Sequence, residues 1–236
     1  MRFQQLVSLK VIIWLELKKI IKSHLVEMII MGLLFLVLVR RGTDWENYIN
    51  NSLLFLLVVV GSVGFGILAS WVFAREYTDG TFKDLLALPV SRANIVLGKL
   101  IAIEITELMI VAVSLLLILI SGYLIFGVAP RGSLLIAALA KTEVAFIYDV
   151  LLAFLWPLLA SLFRSALLPM SLAFISLIID VMFAPQQIGQ YIPWAIPGFY
   201  LAHADLNLAA SKIIICAIGF VGIYGTIFLW KHPHRS

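Results

Sequence analysis

The sequence predicts an all-α, polytopic membrane protein with six transmembrane helices, an N-terminal amphipathic helix in the interface and one short cytoplasmic helix. Three observations carry this. Hydrophobic residues fill 63% of the 236 positions and charged residues only 13%, against about 45–50% and 25% in an ordinary soluble domain. Apolar runs near the ~20 residues needed to cross ~30 Å of hydrocarbon as helix recur along the chain. Strand-like alternation is absent, which argues against a barrel. Six helices with short connections leave no room for a soluble catalytic or nucleotide-binding domain, so residues 1–236 read as a single domain.

Residues 3–23, FQQLVSLKVIIWLELKKIIKS, place Leu6, Val7, Leu9, Ile13, Trp14, Leu17, Ile20 and Ile21 on one helical arc. Gln4, Gln5, Ser8, Glu16, Lys18, Lys19, Lys22 and Ser23 fall on the other. Such a helix lies in the interface rather than crossing it; the alternative is a ragged start to the first span. Polar interruptions and the lack of a small-residue cleavage site argue against a cleaved signal peptide.

The spans are read at about 24–40, 52–73, 100–126, 143–163, 166–184 and 211–230. In the second, Ser62, Gly66 and Ser70 form a small-residue ridge that lets another helix approach closely. Helix packing is the default reading, and the seam between two copies of the chain is the sharper one. GSVGFG at 61–66 follows no strand, and GVAPRGS at 127–133 lacks a phosphate-binding lysine, so neither is a nucleotide site. Between the fifth and sixth spans, residues 184–210 carry Pro185, Pro193 and Pro197, which forbid one continuous helix, with Tyr191, Trp194, Phe199 and Tyr200, which favour the interface. A broken, partly re-entrant outer hairpin is expected, with an unstructured loop as the alternative.

Lys and Arg cluster at residues 2–22, 75–99, 164 and 231–235, which puts both termini on the cytoplasmic side. The net charge of +4 then reflects topology, and no basic stripe with interleaved aromatics suggests nucleic acid. Cys216, the sole cysteine, can form no intrachain disulfide.

The most polar long stretch is REYTDGTFKDLLALPVSRANIVLGK, residues 75–99. Gly80 can end the helix leaving the second span, and Thr81 with Asp84 fits a capping box. Pro89 disfavours helix at Leu88, while Ser91 is a good N-cap for the third span. A two-turn helix from Thr81 to Leu88 is expected. Phe82, Leu85, Leu86 and Leu88 can enter a partner's groove, with Lys83 and Asp84 setting register; the plainer reading is a surface helix on the headgroups.

This stretch resembles the cytoplasmic loop of the ABC-2 type transporter permeases, in Glu76, Gly80, Thr81, Leu85, Leu86, Pro89, Val90, Ser91, Arg92, Gly98 and Lys99. Lys83 departs from the family, in which many members carry an acidic residue there. Outside the loop the resemblance is one of architecture. It implies that the short helix is a coupling helix, in which Glu76, Asp79, Gly80, Thr81, Phe82, Lys83, Asp84, Leu85 and Leu86 meet a separate ATP-binding cassette subunit. That subunit would hold Mg-ATP; no catalytic, cofactor or metal site is expected in this chain. A second permease copy, most simply a homodimer, would complete the transporter in a plasma or inner membrane.

Carboxylates inside spans are functional candidates by default because they cost a few kcal/mol or more unless paired, protonated or facing water. They are Glu104 and Glu107 in the third span, Asp149 in the fourth and Asp180 in the fifth, with Glu27 near the inner end of the first. The plain reading is that they pair with Lys99, Arg164, Lys141 or another protomer. His203 and Asp205 can in principle share a metal, although Asp205 is more simply a helix cap. The leading function is the membrane subunit of an ABC exporter for an amphipathic peptide, drug or lipid-like compound. The alternatives are a proton-coupled secondary transporter and an intramembrane enzyme built on Glu104, Glu107 and Asp149.

Overall fold

The computed structural model describes residues 2–87, 89–203 and 208–232, and among these there are helices and turns but no strands. Helix α1, Arg2–Lys22, meets α2, Leu25–Val39, through a tight turn at Ser23 and His24. A single continuous helix, Trp45–Thr78, follows. It is assembled from α3, Trp45–Leu54, a π-helical stretch, Phe55–Gly64, and α4, Phe65–Thr78. Its start lies ahead of the expected position 52, because Asp44 caps it by accepting the Asn47 N–H at 2.9 Å.

A short helix, α5, Phe82–Ala87, leads to α6, Arg92–Phe126. At 35 residues α6 is ~52 Å long at ~1.5 Å per residue, so it projects well beyond a ~30 Å hydrocarbon layer. Next come α7, Gly132–Ala153, α8, Leu155–Phe163, and α9, Leu167–Phe183. The chain closes with α10, Ile196–Ala202, and α11, Ala209–Lys231.

Among the described residues, four helices are long and apolar enough to cross a membrane: Trp45–Thr78, Arg92–Phe126, Gly132–Phe163 and Ala209–Lys231. A fifth arises if Leu9–Lys22 and Leu25–Val39, bent by 52°, are taken together. The other expected spans therefore need qualification. Residues 24–40 and 166–184 fall on apolar helices of 15 and 17 residues, below the ~20 that cover the hydrocarbon without tilt or thinning.

The Trp45–Thr78 helix is the centre of the bundle: 72% of its apolar window is buried, against 28% for Arg92–Phe126 and Ala209–Lys231. Leu56, Leu57, Phe65, Leu68, Ala69, Val72 and Phe73 along it are all 0–1% exposed. Helix α1 packs along α6, and a Cβ added at Gly98 would lie 2.5 Å from Ile12 Cγ2. The arc expected for α1 is rotated accordingly. Glu16, placed on the wet side by periodicity, is buried at 4% exposure, whereas Trp14 and Ile21 are exposed.

At one end of the bundle Trp45, Tyr48 and Phe126 form an aromatic knot with centroids 5.3–5.8 Å apart, and Trp45 Nε1 donates to the Val128 carbonyl at 3.0 Å. Residues 187–191 and 193–195 form 3-10 turns, and α10 folds over α7 and α9 with Ile196, Pro197, Gly198 and Phe199 buried.

Candidate functional site

At the opposite end of the bundle, the polar stretch 75–99 forms a small, tightly held structure. Gly80 adopts φ 70°, the left-handed conformation that glycine takes without steric cost, and so ends the long helix. Ser91 caps α6 by accepting the Asn94 N–H at 3.2 Å. Thr81 differs from the expected capping box: its hydroxyl donates to Glu76 Oε2 at 2.6 Å, tying the start of α5 to the end of α4.

Helix α5 is clamped by aromatic contact. Phe82 stacks on Tyr77 at 4.5 Å and meets the edge of Trp230 at 5.1 Å. Trp230, itself fully buried, packs on Phe73 at 5.7 Å and donates from Nε1 to Ser161 Oγ at 2.9 Å. Arg92 adds a bond from Nη1 to the Lys231 carbonyl at 2.9 Å. The loop is thus fastened to α4 and α11, and through Trp230 to α8.

This anchoring changes which face of α5 is free. Phe82 and Leu85, read from the sequence as partner-facing, are half-buried and pack on the chain's own core. Lys83, Asp84 and Ala87 are exposed. The reason is that Trp230, from the far end of the chain, completes an aromatic shelf with the neighbouring Tyr77. The Leu86 side chain and Leu88 lie outside the described residues.

Beneath the loop lies a buried ion-pair network that joins α1, α4 and α6. Lys99, 0% exposed, donates to Glu76 Oε1 at 2.7 Å, Glu16 Oε2 at 3.1 Å and the Val72 carbonyl at 3.2 Å. Lys19 bridges the same two carboxylates, 2.8 Å from Glu16 and 3.4 Å from Glu76. Two ammonium groups thus face two carboxylates, and a buried pair is tolerable only when charge and hydrogen bonding are both matched in this way. Removing one partner of such a pair costs about 3–5 kcal/mol.

An open notch of about 280 Å³ beside the network is lined by Lys19, Arg75, Glu76, Asp79, Thr81, Asp84 and Leu85. Arg75 Nε lies 3.5 Å from Asp79 and stacks on Trp71 at 4.6 Å. Glu16 and Trp230 were not singled out by sequence reasoning. A lone acid in a lysine-rich helix was the available signal for Glu16, but nothing local marks Trp230.

The family model described as ABC-2 family transporter protein matches residues 12–180, a range that contains the loop, the network and the central helix. The chain belongs to the ABC-2 family of transporter proteins. It is also similar to the bacitracin transport permease protein BCRB of Bacillus licheniformis, 32% identical over 73 residues, which cover 31% of this chain. The match spans 35% of that relative's length. As an ABC-2 permease the chain is a membrane-embedded transporter component.

The remaining candidate residues of this permease lie elsewhere in the bundle. Ser62, Gly66 and Ser70 face the protomer's own interior: Ser62 is 8% and Ser70 0% exposed. A Cβ at Gly66 would lie 2.6 Å from Ala173 Cβ and 3.3 Å from the Trp156 ring. Within this chain the ridge therefore seats α9 and α8, the close approach that small residues permit.

The intramembrane carboxylates are gathered from three helices. Glu107 (0% exposed) lies within electrostatic range of Glu104 and of Asp149 (2% exposed), and Asp149 within range of Asp180 (0% exposed). Asp149 fills the space beside Gly61, and Asp180 fills that beside Gly198. Lys99, a proposed counter-ion for these acids, is instead committed to Glu16 and Glu76. Glu104 borders a lipid-side recess of about 310 Å³ with Leu108, Phe146 and Leu151. His203 stacks on Phe199 at 4.4 Å, and Asp205 lies outside the described residues.

Proposed function

We propose that this chain is the permease subunit of an ABC exporter, with α5 as the element that docks on a separate ATP-binding cassette subunit. The observation that carries the reading is the clamped loop. A connector needs no rigidity, whereas a helix fixed by Phe82 and underlain by the Glu16–Lys99–Glu76 network passes a push on its exposed face to α1, α4 and α6. The contact face in this reading is Lys83, Asp84, Ala87 and the notch rim at Asp79, rather than the half-buried Phe82 and Leu85.

In this reading both termini are cytoplasmic, the membrane is the plasma or inner membrane, and all six apolar helices, including the short α2 and α9, contribute to one transmembrane domain. Mg-ATP binds the partner. Two copies of the permease form the working unit, because one compact bundle whose centre is filled by side chains leaves no wide internal route. The cargo is an amphipathic peptide, drug or lipid-like compound moved outward, and bacitracin, named for the relative, is the first to test.

Purification in mild detergent with the cognate ATPase subunit co-expressed tests this reading. Lys83→Glu combined with Asp84→Lys should reduce co-purification of the ATPase at least about tenfold, the effect of ~1.4 kcal/mol, without altering thermal unfolding. Unchanged association would reject α5 as the docking element. Efflux driven by a proton gradient with ATP hydrolysis blocked, and lost in Glu107→Gln, would reject the ABC mechanism in favour of secondary transport.

A further inference from the structure

Helix α2 carries a glycine that has no packing role. Gly in a helix costs roughly 0.5–1 kcal/mol relative to Ala, and is usually retained where another helix comes close. At Gly32 an added Cβ would meet nothing within 4 Å. The missing side chain instead opens a groove of about 410 Å³ between α2 and the π-helical stretch. Its α2 wall includes Leu25, Met28, Gly32 and Leu36; the opposite wall includes Val59 and Val63. Among the described residues, no charged or polar side chain lines it. The second wall is π-helical, a geometry that recurs at functional sites.

The length of the groove and the charge at one mouth identify an occupant. From Leu25 to Leu36 it follows α2 for ~16 Å at ~1.5 Å per residue, about half of a ~30 Å hydrocarbon layer and so the depth of one leaflet. Its Leu25 end meets the elbow with α1. There Lys18 and Lys22, one helical turn apart and both exposed, stand at the end of α1. Lys18 lies over the exposed Trp14 ring at 5.0 Å, a pairing suited to the headgroup region. Glu27, the sole charged residue of α2, faces His24 at 3.4 Å, so the two lysines are left for another anion.

We propose that this groove holds one acyl chain of an anionic phospholipid, with its phosphate at Lys18 and Lys22. The lipid would brace the elbow between α1 and α2, and α1 carries Glu16 of the ion-pair network. The site does not depend on the ATPase-docking reading, since it is tested by binding alone.

The test is native mass spectrometry of the purified full chain titrated with phosphatidylglycerol or phosphatidylcholine of identical acyl chains. Wild type should prefer phosphatidylglycerol about 30-fold if each lysine contributes as basic residues do near anionic surfaces. Lys18→Gln with Lys22→Gln should abolish the preference and leave phosphatidylcholine binding unchanged. Gly32→Leu should weaken both lipids at least about tenfold while preserving or raising thermal stability, because its Cβ meets nothing within 4 Å and the side chain extends into the groove against its apolar walls. Unaltered lipid binding in Gly32→Leu overturns the proposal, as does a preference that survives loss of both lysines. A disulfide between copies in membranes through Gly32→Cys, in a Cys216→Ser background, would put a second permease in the groove and also overturn it.

Discussion

Lys99 shows how one side chain can fix the loop end of this permease. Its ammonium is fully buried within hydrogen-bonding distance of Glu16, Glu76 and the Val72 carbonyl, so truncation leaves two carboxylates with only the half-exposed Lys19 between them. Lys99→Met is expected to lower stability by about 3–5 kcal/mol, read as an earlier thermal transition in detergent; an unchanged transition would show that the network is not load-sharing. Gly66 makes the complementary steric case. Gly66→Leu must displace Ala173, and overpacking of this kind costs about 1–3 kcal/mol. Ala173→Gly in the same chain should restore much of the loss. A Gly66→Leu protein that unfolds like wild type would place α9 further away than 2.6 Å of Cβ contact permits.

Among elements, α5 is the one whose behaviour depends most on its neighbours. Six residues, Phe82–Ala87, are far too few for a helix to persist alone in water. Its order therefore comes from the Phe82 contacts to Tyr77 and Trp230 and from Thr81 bonded to Glu76. Phe82→Ala should raise hydrogen exchange across residues 79–91 at least about tenfold, corresponding to ~1.4 kcal/mol of lost local protection, with α6 beyond Gly98 unaffected. Exchange that stays slow in the loop would mean that the ion-pair network alone holds it. The charge-exchanged Lys83 and Asp84 variant should leave exchange unaltered, which separates holding the helix from using it.

For the whole molecule, the distribution of buried and exposed apolar surface restricts how two copies can meet. The central helix Trp45–Thr78 is enclosed, whereas α6 and α11 present Leu108, Leu116, Phe220 and Tyr224 at 57–64% exposure. In a homodimer, cysteines replacing Leu116 or Phe220 in a Cys216→Ser background are expected to cross-link in membranes at one of these faces. A cysteine at Ser70, fully buried behind α8 and α9, should remain unlinked. A cross-link through Ser70 would mean that the bundle opens when two copies assemble.

The sequence by itself determined that this is a helical membrane protein, because composition and run length are properties of the chain that hydrocarbon reads directly. It also determined the loop's boundaries: Gly80 and Ser91 act through their own backbone and side-chain chemistry, and they end and begin helices where local rules place them. The resemblance to ABC-2 permeases likewise rested on residues adjacent in sequence. Only the tertiary structure decided which faces those elements turn outward. Phe82 and Leu85 look partner-facing until Trp230, 148 positions beyond Phe82 in the numbering, supplies an aromatic shelf. Glu16 looks solvated until α6 delivers Lys99 to it, and the ridge through Gly66 looks uncovered until Ala173 packs on it. Each of these depends on contacts between residues far apart in the chain, and periodicity within one helix specifies a face without specifying the neighbour that covers it.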